Sequence, residues 1–202
     1  SAGKDSLPAS SFFYGFSGSF PRHQYPFPPH LHMINKKGFF LMNFEHLTPV
    51  MGTITDITAY NDDCCSQFVS LSVDGQQIHI IMTHDTFVVD TMRLFPGMRI
   101  AAFYDSTQPV PLIYPPQYRA DLIAVLRPEE DVAIGYFDEN LTAIDNSLKL
   151  NLYQSTVIST MNGQAYLCSP ANHYLLVYYT ATTRSIPPQT APGRIIVLCQ
   201  AT

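Results

Sequence analysis

A stretch that occurs twice constrains this chain more than any other feature. Residues 99–126, RIAAFYDSTQPVPLIYPPQYRADLIAVL, join an apolar strand, a Tyr- and Pro-rich connection and a second apolar strand. Residues 175–199, LLVYYTATTRSIPPQTAPGRIIVLC, return to that order. At a constant offset of 72, Pro115, Pro116 and Gln117 fall on Pro187, Pro188 and Gln189, and Ile123, Val125 and Leu126 fall on Ile195, Val197 and Leu198. Matching turn chemistry followed by matching strand chemistry is the mark of a duplicated unit, and a repeat bounds the fold before any single motif does. Three matched apolar positions also arise between unrelated strands. The pattern therefore predicts a second unit that shares the end of the first, and leaves open how far the copying extends.

Elsewhere the signal is a period of two. Val50, Gly52 and Ile54 alternate with Met51, Thr53 and Thr55, as in a half-buried strand. Val69, Leu71 and Val73 alternate with serines, Asp74-Gly75 follows, and Ile78, Ile80 and Met82 alternate with His79 and Ile81. Two alternating runs around Asp-Gly predict a hairpin. In HDTFVVDTMRLFPG, Asp85 or Thr86 is placed to cap a short helix that Pro96-Gly97 ends. Strands at 98–104 and 118–126 complete the set. Past the Pro-rich and acidic piece LRPEEDVA, short strand candidates AIGYF, LTAI, LKLNL, TVIST, QAYL, LLVYY and RIIVLC alternate with turn residues, as in a meander or small barrel.

Strand, hairpin, short helical connection and two further strands in about 80 residues is an order that resembles the OB-fold. That resemblance covers residues 48–127 and rests on element order alone. The chain is also similar to an uncharacterised family of bacterial proteins carrying segments like YPPQY (114–118) and TRSIP (183–187). This second resemblance implies a bacterial source and supplies no activity. The expected fold is all-β: an extended arm over residues 1–47, an OB-like small barrel over 48–127, and a second, duplicated β unit over 128–202.

The arm is set apart by composition. SSFFYGFSGSFPRHQYPFPPHLHMINKKGFF packs Phe, Tyr, Pro, Gly and Ser without helical or strand periodicity. Proline favours extended backbone, and seven aromatics from Phe12 to Phe27 are too apolar to stay solvated, which predicts a homo-oligomer held together through residues 1–47. Met33 and Met42 leave an internal natural start open, and Ser1 leaves a cleaved leader open; otherwise the chain reads as a cytoplasmic bacterial protein. No apolar run reaches the length of a membrane span. Charged residues are only 13% of the chain and the net charge is -5, so a phosphate backbone is repelled on average. Cys64, Cys65, Cys168 and Cys199 have neither CxxC spacing nor any regular spacing, which argues against a zinc module and a disulfide scaffold.

Candidate binding residues gather on the two Pro-rich connections: Tyr104, Asp105, Tyr114, Tyr118 and Arg119 on the first, Tyr178, Tyr179 and Arg184 on the second. Tyr offers a flat apolar face with a hydroxyl and Arg a planar donor fork, a pairing suited to sugars, bases or peptides. The competing reading makes these residues architectural. In it the tyrosines cover a barrel mouth, Arg119 pairs with Asp105 or Asp121, and Tyr118 shares one strand face with Ala120, Leu122, Ala124 and Leu126.

Catalytic signatures are missing. GFSGS fails the nucleophile elbow at its last position, no glycine-rich phosphate loop occurs, and Glu129-Glu130-Asp131 suits a solvated linker. His84 beside Asp85 is the one pair resembling acid-base equipment, with His79 read as an outward strand residue and Asp85 as a helix cap. No cofactor and no metal site is expected. The leading expectation is a non-enzymatic binding or self-assembly protein. The alternatives are an OB-type binder of single-stranded nucleic acid or oligosaccharide, with Phe103, Tyr104 and Tyr118 as stacking platforms, and an enzyme using His84, Asp105 or Arg119.

Overall fold

The computed structural model describes residues 43–199. Of the arm expected over residues 1–47, residues 1–42 and the subunit contacts expected of them lie outside the described chain, while Phe44 and Leu47 are buried against the described core. The described chain is all-β. Its strands are β1 (Leu47–Tyr60), β2 (Asp63–Val73), β3 (Gln76–Met82), β4 (Phe87–Val88), β5 (Arg99–Asp105), β6 (Gln117–Arg119) and β7 (Leu122–Leu126). There follow β8 (Asp131–Phe137), β9 (Lys149–Leu150), β10 (Val157–Thr160), β11 (His173–Tyr179), β12 (Gln189–Thr190) and β13 (Arg194–Leu198). The first seven form one mixed sheet in the order β4-β7-β5-β1-β2-β3-β6. A four-stranded sheet runs β10-β13-β11-β8, and β12 pairs with β9. Among the described residues no helix is long and apolar enough to cross a membrane.

The Asp74-Gly75 hairpin forms as its chemistry requires. Asp74 and Gly75 both take positive φ, 48° and 82°, and β2 pairs antiparallel with β3 in unbroken register from Val73↔Gln76 to Gln67↔Met82. The long strand β1 serves two neighbours, pairing with β5 through its first half and with β2 through its second. The two pairings overlap at Thr53, and Gly52 stands next to it, paired with Ile100 of β5. A Cβ there would meet the Ser72 carbonyl oxygen and Val73 Cγ2, each at 2.7 Å, so only glycine lets β1 lie this close over β2.

Three expectations are corrected. Neither sheet closes into a barrel: the single strand expected over 118–126 breaks at Ala120-Asp121 into β6, which pairs parallel with β3, and β7, which pairs antiparallel with β5. No α-helix follows His84 either. Phe87 and Val88 are used as a parallel strand against β7, and only a 3-10 turn, Val89–Thr91, remains. The Thr86 hydroxyl caps nothing, because it accepts from the Thr83 N–H (2.9 Å) and donates to the Ala120 carbonyl (2.7 Å). Finally, LTAI and QAYL contribute only the isolated bridges Phe137↔Ala143, Thr142↔Lys149 and Ser159↔Ala165.

Three apolar clusters hold the described chain together. Ile54, Val69, Leu71, Ile80, Ile100, Ala102 and Ile123 form the cluster on one face of the first sheet. Phe137, Leu148, Leu150, Leu175, Val177, Ile195 and Val197 do the same for the second half. Between the halves, Ala101, Phe103, Leu122, Ala124 and Leu126 meet Leu176, Tyr178, Ile196 and Leu198. β5, β7, β11 and β13 are thus apolar on both faces, which explains their nearly continuous hydrophobic sequences.

Candidate functional site

The bend at Ala120-Asp121 builds the site. In a regular strand Tyr118, Ala120 and Leu122 share a face, but here Tyr118 and Ala120 pack with Ile123 and Val125, whereas Leu122 and Ala124 turn to the inter-half cluster. The break is anchored by main-chain bonds. Asp121 N–H donates to the Phe103 carbonyl (2.8 Å), Phe87 N–H to the Asp121 carbonyl (2.8 Å), and Ala120 N–H to the Ile81 carbonyl (3.0 Å). Tyr118 thereby comes beside Tyr104, at the end of β5, with ring centroids 4.3 Å apart and planes inclined by 31°.

These two half-buried rings line a groove of about 610 Å³. Asn43, Ile81, Asp105, Gln117, Arg119, Asp121 and the Gln108–Pro111 part of the β5–β6 connection complete its walls. Burial and the neighbouring Tyr118 push the Tyr104 phenol above its ordinary pKa, so Tyr104 presents a neutral hydroxyl to the groove. Asp105 is already engaged: Oδ1 accepts from Thr107 N–H (2.9 Å) and Oγ1 (2.6 Å), Oδ2 from Gln108 Nε2 (3.1 Å). Those bonds hold its carboxyl below the usual range. Asp121 is the opposite case. Burial, and then the Asp105 charge, raise its pKa against the pull of Arg119 and the Asp105 amide. Arg119 spends its guanidinium on Asp85 rather than on Asp105 or Asp121, at 3.2 Å.

Tyr104, Asp105, Tyr118 and Arg119 thus come together. Tyr114 does not line the groove: it is 85% exposed on the loop tip near the fully exposed Leu112. On the second connection, Arg184 is exposed and Tyr179 packs against the cluster of the second half. Tyr178 is corrected from candidate ligand contact to core residue. It is 2% exposed, its hydroxyl lacks a hydrogen-bond partner, and its ring lies under the Arg194 guanidinium at 5.3 Å. Phe103 is likewise fully buried between the halves and offers no platform.

His79 is corrected as well. It is buried, with Nδ1 3.1 Å from the Ser70 hydroxyl, its ring stacked on Phe68 at 4.3 Å, and its pKa lowered by burial. Phe68 stacks in turn on Tyr60 at 5.9 Å, which makes an aromatic row along β1, β2 and β3. Sequence reading missed this row, although the Asp-Gly register would have placed Phe68 beside Ile81 and diagonal to His79. Asp85 bridges His84 and Arg119, each at 3.2 Å, and caps no helix. Among the described residues no group of three or more His, Cys, Asp or Glu side chains converges as metal ligands. No protein-family model matches the chain, and no curated protein matches it.

Proposed function

We propose that this chain is a non-catalytic binding protein whose first half works as an OB-type module and holds a saccharide against Tyr104 and Tyr118. The observation that carries the reading is that tyrosine pair, half-buried at the wall of an open groove with amide, carboxylate and guanidinium groups around it. Sugar rings lay their C–H faces on aromatic rings while their hydroxyls need several hydrogen-bonding groups in fixed positions, and the groove provides both.

Strand pairing supports the OB-type reading. β1 pairs with β2, β2 with β3, β3 with β6 in parallel, β7 with β5, and β5 with β1. Taken as one bent strand, β6 and β7 give the circuit of a partly open five-stranded barrel, with the β5–β6 connection at its mouth, a usual ligand position for that architecture.

The second half we take to be a trimmed copy, for which local bonding is the support. His79 N–H donates to the Pro116 carbonyl (2.9 Å), and Lys149 N–H to that of Pro188 (2.8 Å). The Thr86 hydroxyl donates to Ala120 (2.7 Å) and that of Thr156 to Pro192 (2.9 Å). Phe87 and Asp121 are matched by Val157 and Gly193, and Asp121 and Phe103 by Gly193 and Tyr178. β9 with β12, β10 with β13, and β11 with β13 also keep the parallel or antiparallel sense of their counterparts.

Charge decides between ligand classes. The net charge of -5, with Asp105 and Asp121 in the groove and Arg119 paired to Asp85, disfavours single-stranded nucleic acid and tolerates a sugar. Calorimetric titration with N-acetylglucosamine and glucosamine hexamers and with hexathymidylate tests the reading. Binding of a sugar is expected, and Tyr118→Ala should weaken it by about 1–3 kcal/mol, the range for one aromatic platform, without unfolding. Binding of hexathymidylate alone, or a Tyr118→Ala variant that melts far below the parent, would overturn it.

A further inference from the structure

Resting on the binding reading above, we infer that Asp121 selects the ligand, accepting a hydrogen bond from an ammonium group on a sugar ring stacked at Tyr104 and Tyr118, and that the first half alone carries this site. The chain contains its own control. Two of the three main-chain bonds at the bend recur in the second half, the third being lost because Pro192 stands where Ala120 donates, yet Tyr118, Arg119 and Asp121 of the first correspond, 72 residues on, to Thr190, Ala191 and Gly193 of the second. The carboxylate, the guanidinium and the phenol ring are therefore not what the bend needs in order to form. Thr190 shows the alternative use of its position: it is buried, and its hydroxyl donates to the Ala181 carbonyl at 2.7 Å.

The connection differs in the same sense. β5 and β11 correspond at a shift of 75 and β6 and β12 at 72, so the loop between them is three residues shorter in the second half. The longer first loop is the one whose Gln108–Pro111 segment walls the groove. Among the groove-lining positions, Tyr104 keeps a tyrosine at its counterpart, Tyr179, whereas Tyr118, Arg119, Asp121 and the longer loop are peculiar to the first half.

The ligand chemistry follows from which charges are spent. Asp105 has both oxygens occupied by Thr107 and Gln108, and Arg119 is held by Asp85. Among the described residues no side chain donates to the Asp121 carboxylate. Burial and the Asp105 charge both work against its ionised form, and the charge-assisted hydrogen bond of an ammonium group offsets them.

The test uses the full chain, with Asp121→Asn, Tyr118→Thr and, as a second-half control, Arg184→Ala. Each is titrated with the glucosamine hexamer and the N-acetylglucosamine hexamer, and each is melted. The parent is expected to favour the glucosamine hexamer by about tenfold or more. Asp121→Asn should abolish that preference, Tyr118→Thr should weaken both sugars, and Arg184→Ala should change neither. The melting temperature of Asp121→Asn should stay at or above the parent's, and Tyr118→Thr should remain folded at the titration temperature although it gives up packing against Tyr104. Equal binding of both sugars by the parent, or a preference that survives in Asp121→Asn, overturns the assignment while leaving the saccharide reading intact. An Asp121→Asn variant that melts well below the parent overturns it too, since the carboxylate is then structural. Failure of the parent to bind either sugar removes the saccharide reading itself, and this inference with it.

Discussion

At the scale of single residues, two side chains sit where the fold would not choose them. Asp121 has a carboxyl whose pKa is raised above 3.8 by burial and by Asp105, so its ionised form is the one the folded state penalises. That penalty is complete above the folded pKa and absent below the unfolded one. Asp121→Asn should therefore raise the melting temperature at neutral pH, with the gain closing as pH falls through the carboxylate range. A gain that persists in acid would exclude the charge as its cause. Tyr178 buries a hydroxyl that finds no partner. Removing it should be neutral or stabilising by about 1 kcal/mol, so Tyr178→Phe is expected to melt no lower than the parent. Neither case was legible in the sequence. Tyr178 sits in a run, LLVYY, where one tyrosine faces the inter-half core and its neighbour Tyr179 does not. Alternation separates the two faces but does not say which face meets a second layer. For Tyr118 the sequence actively misleads, because Tyr118, Ala120, Leu122, Ala124 and Leu126 alternate perfectly across a bend that switches the face.

At the scale of elements, alternation and turn chemistry located strands well wherever one face is polar. The β2–β3 hairpin was readable because Asp74-Gly75 can take positive φ and the runs on either side alternate, although Ser70 and His79 on the polar face prove to be buried. The supposed helix was unreadable as a strand, because Phe87 and Val88 are too few to show a period and find their partner only in β7. Local propensity then loses to a pairing that is distant in sequence. Gly52 reads in sequence as one more alternating position, and its role appears only when β1 is laid on β2. With Ser72 O and Val73 Cγ2 each 2.7 Å from an added Cβ, Gly52→Ala must push β1 off its neighbour. A destabilisation of about 1–3 kcal/mol is expected, as for other overpacking changes, and chemical denaturation would measure it. A variant as stable as the parent would show that β1 has room to shift.

At the scale of the whole molecule, the two main sheets of the described residues are joined through a shared apolar interior. Each half has its own apolar cluster, but a third lies between them and draws Phe103, Leu122, Ala124 and Leu126 from one side and Leu176, Tyr178, Ile196 and Leu198 from the other. On the duplication proposed above, Ala124, Leu126, Ala101 and Phe103 correspond to Ile196, Leu198, Leu176 and Tyr178, and each half offers the same face to its counterpart. Faces of this kind, left bare, would expose a broad apolar patch, so neither half is expected to persist alone. At the edge of the contact, Arg194 closes a bidentate pair on Asp90 at 2.7 and 2.6 Å. That pair is only partly shielded and contributes about 1 kcal/mol at most, so the apolar contact decides the coupling. Leu176 is fully buried in it, and Leu176→Ala should cost about 2–5 kcal/mol. Because the loss falls on a shared interior, the variant should still unfold in one step at a lower temperature, with calorimetric and van't Hoff enthalpies in agreement. Two resolved transitions, one of them at the parent's temperature, would mean that the first half keeps its groove without the second.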